Sequence, residues 1–458
     1  MTTEANRRWR VCGAVLLAAF ALLLYQPPVT AETLALRERS TDVRPGALDS
    51  PRSRAEVSLP LFDDASYVAR LRQSSQSGEG RRVWTGSVEG YPESHVTLVV
   101  RRGRLAGRVA VDGRTFEILP NGRRSLVREL DLQHQEGTDC LELAPPRSRD
   151  AVANRSRQVG ALSQGMETDG AGNTELDLIV FYTNAAKLAA GGREAILGLI
   201  DIGVEDTNAA FEDSRIKARF RLLEAQQIKY KESIDMGEDL LLLSLDDDGK
   251  MNKAHTRRDK LGADYVALIV DEVDERYCGI AWVLGDYPGD SEYAHSVTRY
   301  DCISNLTFAH ELGHNLGLMH NREETNAPGW FDHSHGYHDP DGAFRTIMSY
   351  GTAPRVLNFS NPRKELNGVP MGVDKKEKDS ADSTKSINAT RRIQSEYRAC
   401  VIDCDTDDET GAGPGPRPGA DEPDTVDDPG RADEASAGVP TDRLPDRGER
   451  PGGRPPKR

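Results

Sequence analysis

The chain has 458 residues, 29% of them charged and 37% hydrophobic, with a formal net charge of −15 at pH 7. That length leaves room for more than one folded domain. The acidic balance argues against nucleic acid and anionic membrane surfaces as partners.

Residues 1–31 have the layout of a secretory signal peptide. Arg7, Arg8 and Arg10 precede a short apolar run over 11–25, and Val29-Thr30-Ala31 offers small residues for cleavage near Ala31. A helix that spans a bilayer needs about 20 apolar residues. This run is shorter and no later segment approaches that length, so the expectation is a secreted protein, extracellular or periplasmic, with no stable membrane insertion. Cys12 lies inside the run and not at its end, which does not suit lipoprotein acylation.

Residues 32–173 read as β-rich. Short alternating runs beginning at Trp84, Leu105 and Thr115 are broken by glycine turns such as Asp112-Gly113, the pattern of antiparallel strands. A polar, Ser- and Gly-rich stretch over 148–173 reads as an exposed processing linker.

From about Thr174 the period changes. Residues 176–182 read as a buried strand, 185–211 as a long amphipathic helix interrupted at Gly191-Gly192, and 218–228 as a second strand. Short helices are expected over 236–244 and 252–261. The apolar run over 264–270 suits a central strand, and 279–284 an antiparallel edge strand. The predicted architecture is α/β (α+β): a twisted, mostly parallel sheet with an antiparallel edge, covered by helices.

The next segment carries the chemistry. His310, Glu311, His314, Gly317 and His320 fall in one run, Thr-Phe-Ala-His-Glu-Leu-Gly-His-Asn-Leu-Gly-Leu-Met-His. On a helix, residues four apart share a face, so His310 and His314 can aim at one ion with Glu311 beside it. Ser304 or Asn305 would cap the helix, and Ala309, Leu312 and Leu316 form its buried stripe. Gly317 allows the positive φ that turns the chain back and brings His320 to the same ion. Three neutral imidazoles leave a zinc ion charged and open to water, which Glu311 can deprotonate. Downstream, Arg345-Thr-Ile-Met348-Ser-Tyr350-Gly351 reads as a turn that sets Met348 beneath the histidines.

After His320 the chain reads as irregular until a final helix over 386–397. Asp246-Asp-Asp-Gly249 suggests a calcium loop, but the twelfth position would be His255 instead of a bidentate glutamate, so calcium is not indicated. His333, His335 and His338 lack ligand spacing and are expected to be loop or rim residues. Asn305 and Asn358 match glycosylation acceptors. Residues 405–458 are acidic and rich in Pro and Gly, the composition of a disordered tail.

Together these motifs resemble the reprolysin or adamalysin branch of the metzincins. The resemblance is carried by Cys278-Gly-Ile-Ala-Trp282, by the stretch from Phe308 to His320, by the Met348 turn, and by Asn358-Phe-Ser-Asn-Pro362. Gly86-Ser-Val-Glu-Gly90 and Leu105-Ala-Gly-Arg-Val109 are similar to the propeptide of that family. The resemblance implies a signal peptide over 1–31, a propeptide over 32–173, a catalytic domain over 174–404 and a tail over 405–458. It implies a secreted endopeptidase with one catalytic zinc ion, acting on proteins or peptides and monomeric. Two residues depart from the branch. Asn321 stands where Asp is usual, and Tyr350 resembles the astacin and serralysin arrangement, in which a phenol stabilises the tetrahedral intermediate.

Six cysteines less Cys12 leave five in the mature chain, an odd set. Cys278 and Cys302 flank the segment between the edge strand and the metal-binding helix and are expected to pair, and Cys400 and Cys404 are close enough to join locally. Cys140 remains, near the end of the propeptide-like region, where the family places a thiolate on zinc that keeps the zymogen inactive. The alternatives are a catalytically silent secreted binding module of the same fold, or an astacin- or serralysin-like metzincin.

Overall fold

The computed structural model describes residues 35–41, 56–77, 80–132, 140–145, 172–246, 248–271, 277–285, 290–325, 327 and 329–402. The signal-peptide, 148–173 linker and tail segments lie wholly or almost wholly outside these residues, as does Cys404.

The alternating pattern before the linker folds into one antiparallel sheet. Its strands are β1 (Ala35–Thr41), β2 (Glu56–Phe62), β3 (Ala65–Ser77), β4 (Arg81–Val88), β5 (Tyr91–Arg101), β6 (Arg104–Val111), β7 (Arg114–Asn121) and β8 (Arg124–Leu130). They lie in the order β1-β8-β7-β6-β5-β4-β3-β2. Because side chains alternate across a strand, Leu59, Leu61, Trp84, Val96, Leu98, Val109, Phe116 and Ile118 all reach one core.

The second sheet starts at β10 (Thr174–Tyr182), preceded in the chain by β9 (Leu141–Leu143) and followed by β11 (Ala218–Gln227), β12 (Tyr265–Val270), β13 (Gly279–Trp282) and β14 (His295–Arg299). Its order is β11-β10-β12-β14-β13-β9. β10 pairs in parallel with β11 and β12, and β12 with β14, whereas β13 runs antiparallel to β14. β12 is buried along its whole length, which explains its unbroken apolar sequence.

β14 carries no comparable signal. His295, Ser296 and Thr298 are fully buried polar residues between two strands, so composition hides a strand that position in the sheet requires. The region after His320 is also more ordered than its sequence suggests. β15 (Asn361–Leu366) and β16 (Val369–Met371) form a hairpin across Asn367-Gly368, both at positive φ.

Helices α1 (Asn184–Ala189) and α2 (Arg193–Ser214) are separated at the two glycines; α3 (Met236–Ser244) and α4 (Asn252–Leu261) precede β12. α5 (Thr307–Asn315) follows β14, and α6 (Ser383–Gln394) starts three residues before the expected helix, with Asp382 accepting from the Lys385 N–H.

Neither Ser304 nor Asn305 caps α5. A 3-10 turn over Tyr300–Asn305 precedes the helix, and Leu306 occupies the cap position at φ 66° without a side-chain bond. Ser304 is instead drawn away, its hydroxyl donating to Glu117 on β7 at 2.7 Å.

α2 joins the two sheets. Its apolar residues, among them Ile196, Leu199 and Ile200, enter the core shared with β10 and β12. Asp201, Glu205 and Asp206 on the same helix meet the first sheet. Arg101 grips Asp201 with two bonds at 2.8 and 2.9 Å, Arg81 pairs with Asp201 and Glu205, and the Thr97 hydroxyl donates to Asp206. Arg108 donates to the Ser304 carbonyl at 2.7 Å, just ahead of α5.

Candidate metal centre and active site

α5 sets His310 and His314 one turn apart on the same face, and a tight turn then returns the chain. Gly317 takes φ 82°, with its N–H on the His314 carbonyl at 2.8 Å and the Leu318 N–H on Gly313 at 3.0 Å. A Cβ at Gly317 would lie 2.7 Å from the Leu284 carbonyl oxygen, so both conformation and space require glycine there. His320 arrives by this turn. The Nε2 atoms of His310, His314 and His320 are each 3.1 Å from the other two.

Those contacts are not hydrogen bonds. The Nδ1–H of His310 donates to the Ile347 carbonyl at 2.8 Å, and that of His314 to the Leu318 carbonyl at 2.9 Å, which leaves both Nε2 atoms with lone pairs. Burial holds His310 well below its ordinary pKa and so keeps it neutral. Lone pairs converging at this spacing suit a cation bound at about 2.0–2.1 Å from each nitrogen.

A fourth donor completes the set. Cys140 Sγ and the three imidazole nitrogens all lie within 4.8 Å of one another, and the thiol is buried and not in a disulfide. Sγ also donates to Glu311 Oε2 at 3.1 Å, and the Cys140 N–H donates to the Tyr350 phenol oxygen at 2.5 Å. The following residues form β9, which pairs in parallel with β13 through Ile280–Leu141, Ala281–Glu142 and Trp282–Leu143. The Val283 N–H extends the pairing to the Leu143 carbonyl. One short segment therefore occupies both the sheet edge and the point where the imidazoles converge.

Glu311 lies against Gly279 at the start of β13. A Cβ on Gly279 would come 2.4 Å from Glu311 Oε1. Burial pushes the Glu311 carboxyl up to about 8, while the Cys140 hydrogen bond and the positive charge of Arg355 pull it down. Gly313 plays the matching part on the other side of the helix: a Cβ there would be 2.4 Å from Met348 Sδ. Met348 is fully buried, with its sulfur against Gly313 of α5.

Tyr350 packs its ring 4.5 Å from His320 and 5.6 Å from His310, centroid to centroid. Burial raises its pKa well above the ordinary value, and Cys140 and Glu311 push the same way. Its backbone N–H donates to Asn321 Oδ1 at 2.9 Å. Asn321 therefore ties the third histidine to the Met348 turn, and its amide donates to Glu323 at 2.8 Å, a bond that an aspartate could not make.

The Cys278–Cys302 disulfide is present, fixing the start of β13 to the turn before α5. The second cysteine of the Cys400–Cys404 pairing lies outside the described residues. His335 is not at a rim: it is fully buried and bonds the His320 carbonyl through Nδ1 at 2.7 Å. His333 stacks on Phe331, and His338 borders Gly351. Asn305 and Asn358 are both buried, so neither presents a glycan acceptor on the folded chain. The sequence reading passed over Gly279, Gly313 and Arg355. The glycines become necessary only when Glu311 and Met348 are in place, and nothing local singles out Arg355.

Residues 176–375 match a family described as metallo-peptidase family M12B, reprolysin-like. The chain is 27% identical over 319 residues to a peptidyl-Asp metalloendopeptidase of Stenotrophomonas maltophilia (strain R551-3), covering 67% of this chain and 71% of that protein. It is likewise 27% identical over 339 residues to the protein of the same name from Xanthomonas campestris pv. campestris, covering 69% and 77%. Among solved structures, metalloproteinase-II from Bacteroides fragilis overlaps 70% of this chain and 92% of its own at 11% identity and a TM-score of 0.42.

Proposed function

We propose that this chain is a secreted, zinc-dependent metalloendopeptidase of the reprolysin-like kind, acting on proteins or peptides and made in a latent form, a reading supported by its similarity to that family and to bacterial metalloendopeptidases. The observation that carries this reading is the convergence of the Cys140 thiol with His310, His314 and His320 while β9 fills the edge of β13. Two distinct requirements of peptide hydrolysis, an open metal position and a free strand edge, are blocked by one segment.

The residues fit zinc. Their donors are two imidazoles fixed in the Nδ1–H tautomer, a third imidazole and a thiol, a soft nitrogen and sulfur set. Zinc bound there polarises the scissile carbonyl and acidifies a water molecule. Glu311, beside the three imidazoles, would take the proton of the attacking water and hand it to the leaving amine. The β13 backbone pairs with an extended substrate segment, as it now pairs with β9. Tyr350, released from the Cys140 N–H, donates to the oxyanion.

In this reading residues 1–31 are the signal peptide, 32–173 the propeptide, 174–404 the catalytic domain and 405–458 the tail. Cleavage in the 148–173 linker frees the Cys140 segment. The peptidyl-Asp metalloendopeptidases that it resembles favour a substrate with an aspartyl residue at the cleaved bond.

The test is digestion of casein and of quenched peptides by the processed protein, with and without chelator, alongside metal analysis. Chelator-sensitive cleavage, about one zinc per chain and loss of turnover in Glu311→Gln are the expected results. Cleavage by Glu311→Gln at the parent rate, or the absence of stoichiometric metal, would overturn the assignment.

A further inference from the structure

The loop that carries Met348 and Tyr350 folds back on itself. The Arg345 N–H donates to the Pro354 carbonyl at 2.9 Å, the Val356 N–H to Arg345 at 2.9 Å, and the Ile347 N–H to Asn358 at 2.8 Å. This returns Arg355 alongside the arm that holds Tyr350.

The two arginines of the loop are used differently. Arg345 is a brace, with Nε on the Ala353 carbonyl at 2.9 Å and Nη1 on the Ser349 carbonyl at 2.6 Å. Among the described residues the Arg355 side chain makes one hydrogen bond, from Nη1 to the Asn305 carbonyl at 3.0 Å. Its Nε is buried and has no partner among the described residues. No described carboxylate pairs with it, and Glu311, Tyr350 and Cys140 are the groups whose charge acts on it.

A half-buried guanidinium with an unpartnered Nε and no paired carboxylate among the described residues is suited to take one. The held Nη1 leaves the other edge, Nε with Nη2, as a fork that matches both oxygens of a carboxylate. Glu311 does not fill that role, because it is packed on Gly279 and bonded to Cys140.

We propose that Arg355 is the residue that reads substrate: it takes the side-chain carboxylate of an acidic residue adjoining the scissile bond. The inference rests on the peptidase reading above and identifies the group behind its substrate preference. An acidic side chain held there places the neighbouring peptide bond between Glu311 and Tyr350. A neutral isostere such as asparagine leaves the fork unpaired and is rejected.

The experiment uses the full chain after maturation, with peptides identical except for Asp, Asn or Glu beside the cleaved bond. The wild-type kcat/KM ratio of Asp to Asn peptide is expected to be roughly 100-fold or more. That ratio should collapse toward unity in Arg355→Gln and survive in part in Arg355→Lys. An active Arg355→Gln enzyme that keeps the wild-type ratio overturns the inference. Should the glutamine variant fail to fold, the lysine variant and a wild-type cleavage map on denatured proteins decide. A wild type that cleaves in a chelator-sensitive way without enrichment of acidic residues sinks this inference and leaves the peptidase reading standing. A wild type that cleaves nothing sinks the peptidase reading itself.

Discussion

The backbone N–H of Cys140 donates to the phenol of Tyr350 at 2.5 Å, while the thiol of the same residue faces the three imidazoles. One residue therefore engages the metal position and the phenol together, and withdrawing it frees both.

Replacing the thiol tests this coupling. A serine hydroxyl is a far poorer zinc ligand than a thiolate, but Cys140→Ser keeps the backbone bond to Tyr350. The uncleaved variant is expected to gain chelator-sensitive activity over the uncleaved parent. Equal latency in a quenched-peptide assay would exclude the thiol as the lock.

Tyr350→Phe isolates the phenol. Removing one donor to a developing oxyanion costs on the order of 10²–10³ in kcat, and the ring packing against His310 and His320 is retained. The matured variant should lose kcat with little change in KM. Unchanged turnover would show that the phenol has no part in the transition state.

Glycine at 279 and glycine at 313 should fail differently. Gly313→Ala forces a Cβ onto Met348 Sδ, an overpacking of about 1–3 kcal/mol that lowers Tm. Gly279→Ala forces one onto the Glu311 carboxylate. Displacing that carboxylate by about 1 Å costs on the order of 10²-fold in kcat. Thermal melts and steady-state kinetics on the two variants separate the effects.

Asn321→Ala removes the acceptor of the Tyr350 N–H and is expected to cost about 1–3 kcal/mol. Asn321→Asp keeps that acceptor but gives up the donor to Glu323. The aspartate variant should therefore stay active and melt between the parent and the alanine variant. A melt as low as that of alanine would contradict the hydrogen-bond assignment.

Acid should weaken the contact between the first sheet and α2 through His95. This residue is buried beside Thr97 and Asp206, with Arg108 and Arg72 also acting on it. Burial, then Arg108 and Arg72, lower its pKa from 6.5 to about 3. A pKa lowered by folding means that the neutral form is favoured in the folded chain. The stability that depends on neutral His95 is therefore present above pH 6.5 and is lost as pH falls toward 3. Asp206 and Glu117 nearby are shifted upward by burial and act with the opposite sign. Comparing the unfolding free energy of the parent and His95→Gln, from denaturant titrations between pH 7 and pH 4, isolates the histidine: the gap between them should change by a few kcal/mol in favour of the variant on acidification. A constant gap would refute the linkage.

Much of the site was legible in the chain because its signals are local. Helical spacing of His310 and His314, a turn at Gly317 and the return to His320 lie within one short segment. Strands β10 and β12 also announce themselves, since burial between helices demands apolar runs. The 3-10 turn before α5 was hidden, because Ser304 is claimed by Glu117 from a distant strand. β14 was hidden because its buried side chains are polar and depend on neighbours remote in sequence.

The sequence by itself determined which residues come together: three imidazoles, a carboxylate and a methionine turn at spacings that backbone geometry converts directly into proximity. Only the tertiary structure decided how the Cys140 segment also fills the edge of β13, why Gly279 and Gly313 carry no side chain, and how Arg355 comes to lie close enough to feel the charges of Glu311 and Tyr350. The physical reason is range. Helix periodicity acts over a few residues, whereas packing and charge pairing act through space between segments that the sequence holds far apart.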